Sequence, residues 1–237
     1  MTSDAYQFPV AVALGRGYDP DNTQERDAIN WLLDQPGASL IVVTPTKDVR
    51  GIIEWLVKQP GVTHVSASRS LSVAGWSGHG VLVCWPSKAV LNALWDARPD
   101  ALAVIEGSGT SLTEWLEDAR PIQLLPGGAT HATPATSPMD GIEPLQESVE
   151  SFLESIGRWA AGYSTGPKWN EEAKVKADMM NRPSVWRDVT GDQLRAKCRS
   201  MRMRPDDVDT ICGFLQRVKG GHRLVPQSGY RDFKWGA

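Results

Sequence analysis

Residues 62–86, VTHVSASRSLSVAGWSGHGVLVCWP, decide how the first half of the chain is read. Two apolar runs, 62–67 and 80–85, flank a loop rich in Ser and Gly. Apolar and β-branched runs bounded by such residues read as strands. The loop between them holds Arg69, Trp76, Ser77 and His79, which no strand core requires. It reads as the mouth of a site, with Trp76 either an aromatic lid over a ligand or the residue that packs the loop onto the domain, and with Arg69 and His79 beside it.

Upstream, 9–14 (PVAVAL) is a strand that leaves through Gly15-Arg16-Gly17. Asn22 and Glu25 have capping-box spacing. The helix they open carries Ala28, Ile29, Leu32 and Leu33 on one side, and Pro36-Gly37 stops it. SLIVVT, Ser39–Thr44, is continuously apolar, as in a sheet covered on both faces. Val49, Ile52, Ile53 and Leu56 then fall on one helical face. Downstream, Ser87 caps a helix bearing Val90, Leu91 and Leu94, and 101–105 is a fifth strand. Ser111 and Glu114 open a short helix with Leu112, Trp115 and Leu116, and 121–125 is a short sixth strand.

Strands and helices that alternate in this way indicate βαβ units. The expected fold is therefore α/β, with a Rossmann-like, mostly parallel sheet of five or six strands in residues 1–126. The step from third to fourth strand has no helix, so both a crossover and an antiparallel pairing fit it.

Residues 127–139, GGATHATPATSPM, read as a linker, and 140–237 as a smaller basic helical domain. Asp140 and Glu143 again have capping-box spacing. Leu145, Val149, Phe152, Ile156, Trp159 and Tyr163 follow at alternating steps of four and three. That seam suits a helix packed on its own chain, or a dimer helix that makes the protein a homo-oligomer. A weak helix spans 171–180. Thr190 and Gln193 cap the next helix, with Leu194, Cys198 and Met201 inward. Pro205 opens another with Val208, Ile211, Cys212, Leu215 and Val218 inward, and Gly220-Gly221 ends it. Residues 222–226 and 230–235 read as a hairpin around Gln227-Ser228-Gly229. This order suits a winged helix-turn-helix.

Three cysteines without a C-x-x-C pair argue against disulfides and against a cysteine zinc site. The start lacks the pattern of a signal peptide, and no apolar run approaches the ~20 residues of a membrane span. A cytoplasmic protein with no membrane contact is expected. The net charge of −3 divides unevenly, with −10 over residues 1–156 and +7 over 157–237. That split suggests two parts with different partners, or two parts that attract each other.

Ligands of parallel α/β sheets bind beyond the carboxyl ends of the strands. The residues assigned there are Arg16 and Asp19, Thr46 and Lys47, Arg69, Trp76, Ser77 and His79, Ser87 and Lys88, and Glu106 and Ser108. Cations and backbone N–H groups in these loops suit a small anionic ligand such as a nucleotide, without a resident cofactor. Named motifs are absent. Position 20 is Pro where G-x-G-x-x-G needs Gly, and no P-loop sequence occurs. Gly75-Trp76-Ser77-Gly78-His79 ends in His and precedes a strand, so it is no nucleophile elbow. As an enzyme, a hydrolase or transferase of phosphorylated substrates, the chain would use His79, Glu106 and Asp19 as acid/base groups.

Arg195, Lys197, Arg199, Arg202 and Arg204 form a cationic stripe suited to phosphates of nucleic acid. Asp206, Asp207 and Asp209 at the start of the following helix oppose base reading by it. At the level of fold, a Rossmann-like sensor joined to such a tail resembles ligand-responsive regulators.

Overall fold

Small and β-branched residues in short runs make seven strands among the described residues. They are β1 (Val10–Ala13), β2 (Ser39–Thr44), β3 (Val62–Ser66), β4 (His79–Cys84), β5 (Ala101–Ile105), β6 (Ile122–Leu124) and β7 (Thr130–Ala132). In this computed structural model, residues 6–15, 21–35, 39–67, 71–132, 139–160, 167 and 169–236 are described. The strands form one sheet in the order β3-β2-β4-β5-β1-β6-β7, all parallel except β7. The protein is thus α/β with a mostly parallel sheet. It divides into two units, Met1–Ala135 and Thr136–Ala237.

Alternation along the strands builds two cores in the first unit. Val10, Val12, Val81, Val83, Leu102 and Val104 face helices α3 (Lys88–Leu94) and α4 (Thr113–Ala119). Ala11, Ala13, Leu82, Cys84, Ala103 and Ile105 face α1 (Thr23–Leu33) and α2 (Gly51–Val57). Both faces are covered, which explains why β2, β4 and β5 are apolar without interruption. Leu33, expected inward, is instead 64% exposed at the end of α1.

β3 and β4 both pair with β2 in parallel, so the chain between them is a crossover and not a hairpin. Its described part, 71–78, contains no helix. Trp76 takes the place of one. It is 3% exposed in the core of the α3/α4 face, with Leu71 and Val73 packed beside it. Of the two readings of Trp76, packing onto the domain is the one the structure shows, and the lid is not.

The presumed linker starts too early. A 3₁₀ turn over Pro126–Gly128 leads into β7, whose Thr130, His131 and Ala132 pair antiparallel with β6. The seventh strand thus comes from residues read as linker.

The described part of the second unit contains α5 (Glu147–Ala160), α6 (Trp169–Asn181), α7 (Pro183–Trp186), α8 (Gly191–Ser200) and α9 (Pro205–Lys219). Leu145, Val149, Phe152 and Ile156 are buried in this unit's own core with Met179, Trp186, Leu194 and Leu215. Among the described residues of the seam these four are consumed internally and leave no apolar stripe for dimerisation. Trp159 is 38% exposed, with Lys174 over its ring, and Tyr163 lies outside the described residues. α5 begins at Glu147, so Asp140 and Glu143 do not cap it. Thr190 and Gln193 do form their capping box on α8.

The expected hairpin is replaced by irregular chain and a 3₁₀ turn over Ser228–Tyr230. The tail then returns to the core. Asn181 donates to the carbonyls of Arg231 and Phe233, Trp235 donates its indole N–H to Ser151, and its ring lies 5.7 Å from that of Phe152.

All three cysteines are buried. Burial pushes the Cys84 thiol up, and the Glu25 charge adds to this. Burial likewise raises Cys198, with Cys212 next to it. Iodoacetamide is expected to leave the native protein unmodified. Peptide mass spectrometry in rising urea should then report the two units separately, Cys84 for the first and Cys198 with Cys212 for the second. Rapid native labelling of any of the three would contradict this burial.

Candidate functional site

The sheet order places the site. The crossover from β1 leads over β5 and β4 towards β2, whereas that from β5 leads the other way to β6. Where neighbouring connections part in this manner, a crevice opens beyond the carboxyl ends of the strands. A cleft of about 760 Å³ lies there. Gly15 borders it after β1, Trp85 and Pro86 after β4, and Glu106 to Thr110 after β5, with Gln24 from α1. Its size is that of small-molecule sites.

Three local features build the cleft. The β1–β5 ladder runs one step past the strands, with the Glu106 N–H donating to the Ala13 carbonyl at 2.9 Å. Gln24, 8% exposed, bridges the point where these strands separate. Its amide donates to the carbonyls of Ala13 at 2.8 Å and Glu106 at 3.1 Å. The Gly15 N–H donates to the Glu106 carboxylate at 2.8 Å and fixes its direction. On the opposite wall Trp85 has φ 52°, in the left-handed region, while its N–H continues the ladder to Ile105. Gly107 makes room for it, since a Cβ there would lie 2.9 Å from the Trp85 Cβ.

Of the residues assigned to the site, Glu106 and Ser108 line this cleft. Arg16, Asp19 and Arg69 lie outside the described residues. Thr46 and Lys47 are exposed after β2, which β4 separates from β5. Thr46 accepts from the Thr44 hydroxyl through its carbonyl and turns its own hydroxyl to Asp48. Ser87 caps α3 through the Val90 N–H. Lys88 lies 3.8 Å from Glu114 in an exposed pair.

Ser77 and His79 belong to the opposite edge. His79 is the first residue of β4 and pairs with Ser39, the first of β2. Its ring shares a hydrogen bond with the Ser39 hydroxyl. Gly80 stands beside Ala101, so His79 and Glu106 are separated by roughly 20 Å of strand at ~3.3 Å per residue. No Ser77–His79–Glu106 arrangement can form.

Sequence reasoning missed Gln24, Trp85 and Gly107. Gln24 looks like a solvent-facing residue of a first helical turn, and only its distant acceptors mark it. Trp85 looked like the end of a strand. The run Glu106-Gly107-Ser108-Gly109-Thr110 at a strand end was the one signal available for this wall.

The cationic stripe is also altered. Arg195 pairs with Asp209 at 2.9 Å. Lys197 is 8% exposed and joins α8 to α5 through Glu150 and Glu154. Arg202 is exposed in the turn before α9, with φ 59°. Arg199 and Arg204 are half-buried. The charge split near residue 156 falls inside α5 and not between the units. Residues 1–135 carry nine Lys+Arg against fourteen Asp+Glu, and 136–237 carry sixteen against fourteen. The second unit is close to neutral because its acidic residues nearly match its basic ones in number.

Burial by itself would lower the Lys197 ammonium, but Glu150 and Glu154 together outweigh it and hold the group above its ordinary 10.5. The hydrogen bond from Lys197 holds Glu154 below its ordinary 4.5. The Lys197 contribution is therefore complete below pH 10.5 and fades as pH rises through the higher folded value. The Glu154 contribution is complete above pH 4.5 and fades as pH falls through the lower folded value. Lys197→Met is expected to lose stability evenly from about pH 5 to 10, with the deficit shrinking beyond either limit. Urea titrations at several pH values measure this, and a deficit independent of pH would reject the ion-pair account.

Among the described residues, no helix is long and apolar enough to cross a membrane. No group of three or more His, Cys, Asp or Glu among them could hold a metal ion. Comparison with protein-family models, with curated proteins and with solved structures gives no match.

Proposed function

We propose that the first unit is a Rossmann-like module that binds a small phosphorylated ligand, a nucleotide, in the cleft beyond β1, β4 and β5. The observation that carries this reading is the turn after β5. Gly107, Ser108, Gly109 and Thr110 line the cleft with two hydroxyls and a backbone open to close approach. Such a turn suits phosphate through N–H and O–H donors. Lys47 and Lys88 are not part of the cleft's described lining. The test is calorimetric titration of the full chain with inorganic tripolyphosphate and nucleoside phosphates. Binding that Ser108→Asp abolishes supports the site, and binding unchanged by it rejects the turn.

A second reading makes the same cleft that of a hydrolase or transferase. Glu106 is the one ionisable residue among its described lining, in position to act as base or nucleophile. Turnover lost in Glu106→Gln with binding retained would favour it over simple binding.

For the second unit we propose contact with nucleic acid or a protein partner through the turn between α8 and α9, in the manner of a helix-turn-helix. Arg202, exposed in that turn, is the leading contact residue, with Arg199 and Arg204 flanking it. Asp206 and Asp207 open α9 and suit its helix dipole but not base edges. Contact with nucleic acid would therefore be with the phosphate backbone and weaken steeply with salt. Titration with duplex and single-stranded DNA at two salt concentrations tests this, and no binding at low salt leaves the protein partner.

A further inference from the structure

We infer that the cleft holds a nucleoside subsite in which Glu106 accepts the vicinal hydroxyls of a ribose and Trp85 faces the base, so that the ligand is a ribonucleotide. This rests on the reading of the cleft as a phosphorylated-ligand site and assigns its other end.

Glu106 is a poor neighbour for phosphate. An ionised carboxylate accepts hydrogen bonds and donates none. One of its oxygens already takes the Gly15 N–H at 2.8 Å, which orients the group without exhausting its roughly four lone-pair sites. What such a group recognises is a pair of neutral O–H donors. The hydroxyls of a ribose supply these and keep the phosphates at the Ser108–Thr110 side, away from the like charge.

Trp85 completes the subsite. It lines the cleft and is only half-buried, unlike Trp76 and Trp115. Its position is constrained on two sides, by its left-handed backbone and by Gly107, where a Cβ would lie 3.3 Å from the indole Cδ1. A fixed, partly open indole in a polar cleft suits a flat aromatic base. Stacking is tolerant of which base it meets, so the subsite should select the sugar more than the base.

The experiment uses calorimetry on the full chain with tripolyphosphate, ATP and 2′-deoxy-ATP, for the unmodified protein, Glu106→Gln and Trp85→Leu. ATP is expected to bind about tenfold more tightly than 2′-deoxy-ATP, because a polar site loses a partner when one hydroxyl is removed. Glu106→Gln should bring the two nucleotides to within about twofold and leave tripolyphosphate no weaker. Trp85→Leu should weaken both nucleotides about tenfold and spare tripolyphosphate. Tripolyphosphate binding without any preference between the nucleotides would overturn the subsite and leave the phosphate reading standing. Failure of all three to bind would overturn both.

Discussion

Asp178→Ala is expected to destabilise the second unit by about 3–5 kcal/mol while leaving the stability of the first unchanged. Asp178 has no exposed surface. Its carboxylate accepts from Arg182 Nε at 2.7 Å and Nη2 at 2.6 Å, from the Trp186 indole at 2.8 Å and from the Trp235 N–H at 2.8 Å. One carboxylate therefore ties α6 to α7 and to the returning tail. Removing it leaves a guanidinium with 13% side-chain exposure and two N–H groups without this acceptor. Breaking a buried pair from one side costs about 3–5 kcal/mol, a large share of the ~5–15 kcal/mol that holds an ordinary domain. Asp178→Asn should be almost as damaging, since its amide points donors at donors. The double change Asp178→Leu with Arg182→Met should recover part of the loss, because two apolar groups strand no charge. Two units need not unfold in one step, so the measurement is the urea dependence of alkylation at Cys198 and Cys212 against Cys84. A variant in which all three keep the original midpoints would refute the role of Asp178.

No sequence pattern announced that node. Asp178 and Arg182 stand four apart, the spacing of any solvated helix pair, and their helix looked weak. The information lies in Trp235, which is 57 residues away in sequence. Gln24 was hidden for the same reason. Local signals fared better where both partners are near in sequence, as for Thr190 with Gln193 and for Ser87 with Val90. They failed at Asn22, which takes φ 50° and makes no side-chain cap. The strands of the first unit were legible because burial on both faces leaves runs without polar interruption. β7 was not, because three edge residues in a Gly- and Pro-bearing stretch carry no such pattern. Strand order was not legible either. Without it Ser77 and His79 fell to the carboxyl edge, when the start of β4 places them at the other. Glu106 and Ser108 do line the cleft, because they follow β5 directly, where the edge is unambiguous.

Trp76→Ala is expected to destabilise the first unit by about 3–5 kcal/mol and to leave ligand binding at the cleft unchanged in the fraction that remains folded. The cost follows from what the indole replaces. A parallel crossover ordinarily covers its sheet with a helix, and the described part of the crossover between β3 and β4 has none. Trp76 fills that space among Val81, Val83 and Leu94, and is 3% exposed. Ala would leave a cavity that an irregular loop, without a helix to shift inward, closes only in part. Trp76→Phe should cost less, since most of the contact area stays. The two accounts of this loop then separate cleanly. A ligand lid predicts lost affinity at unchanged stability, whereas a surrogate helix predicts lost stability at unchanged affinity. Urea-dependent alkylation of Cys84 reads the first quantity and calorimetry with tripolyphosphate reads the second. If Cys84 stays protected to the original midpoint in Trp76→Ala, the surrogate-helix account is wrong. The expected result is earlier exposure of Cys84 with Cys198 and Cys212 unmoved, because the indole belongs to the core of the first unit alone.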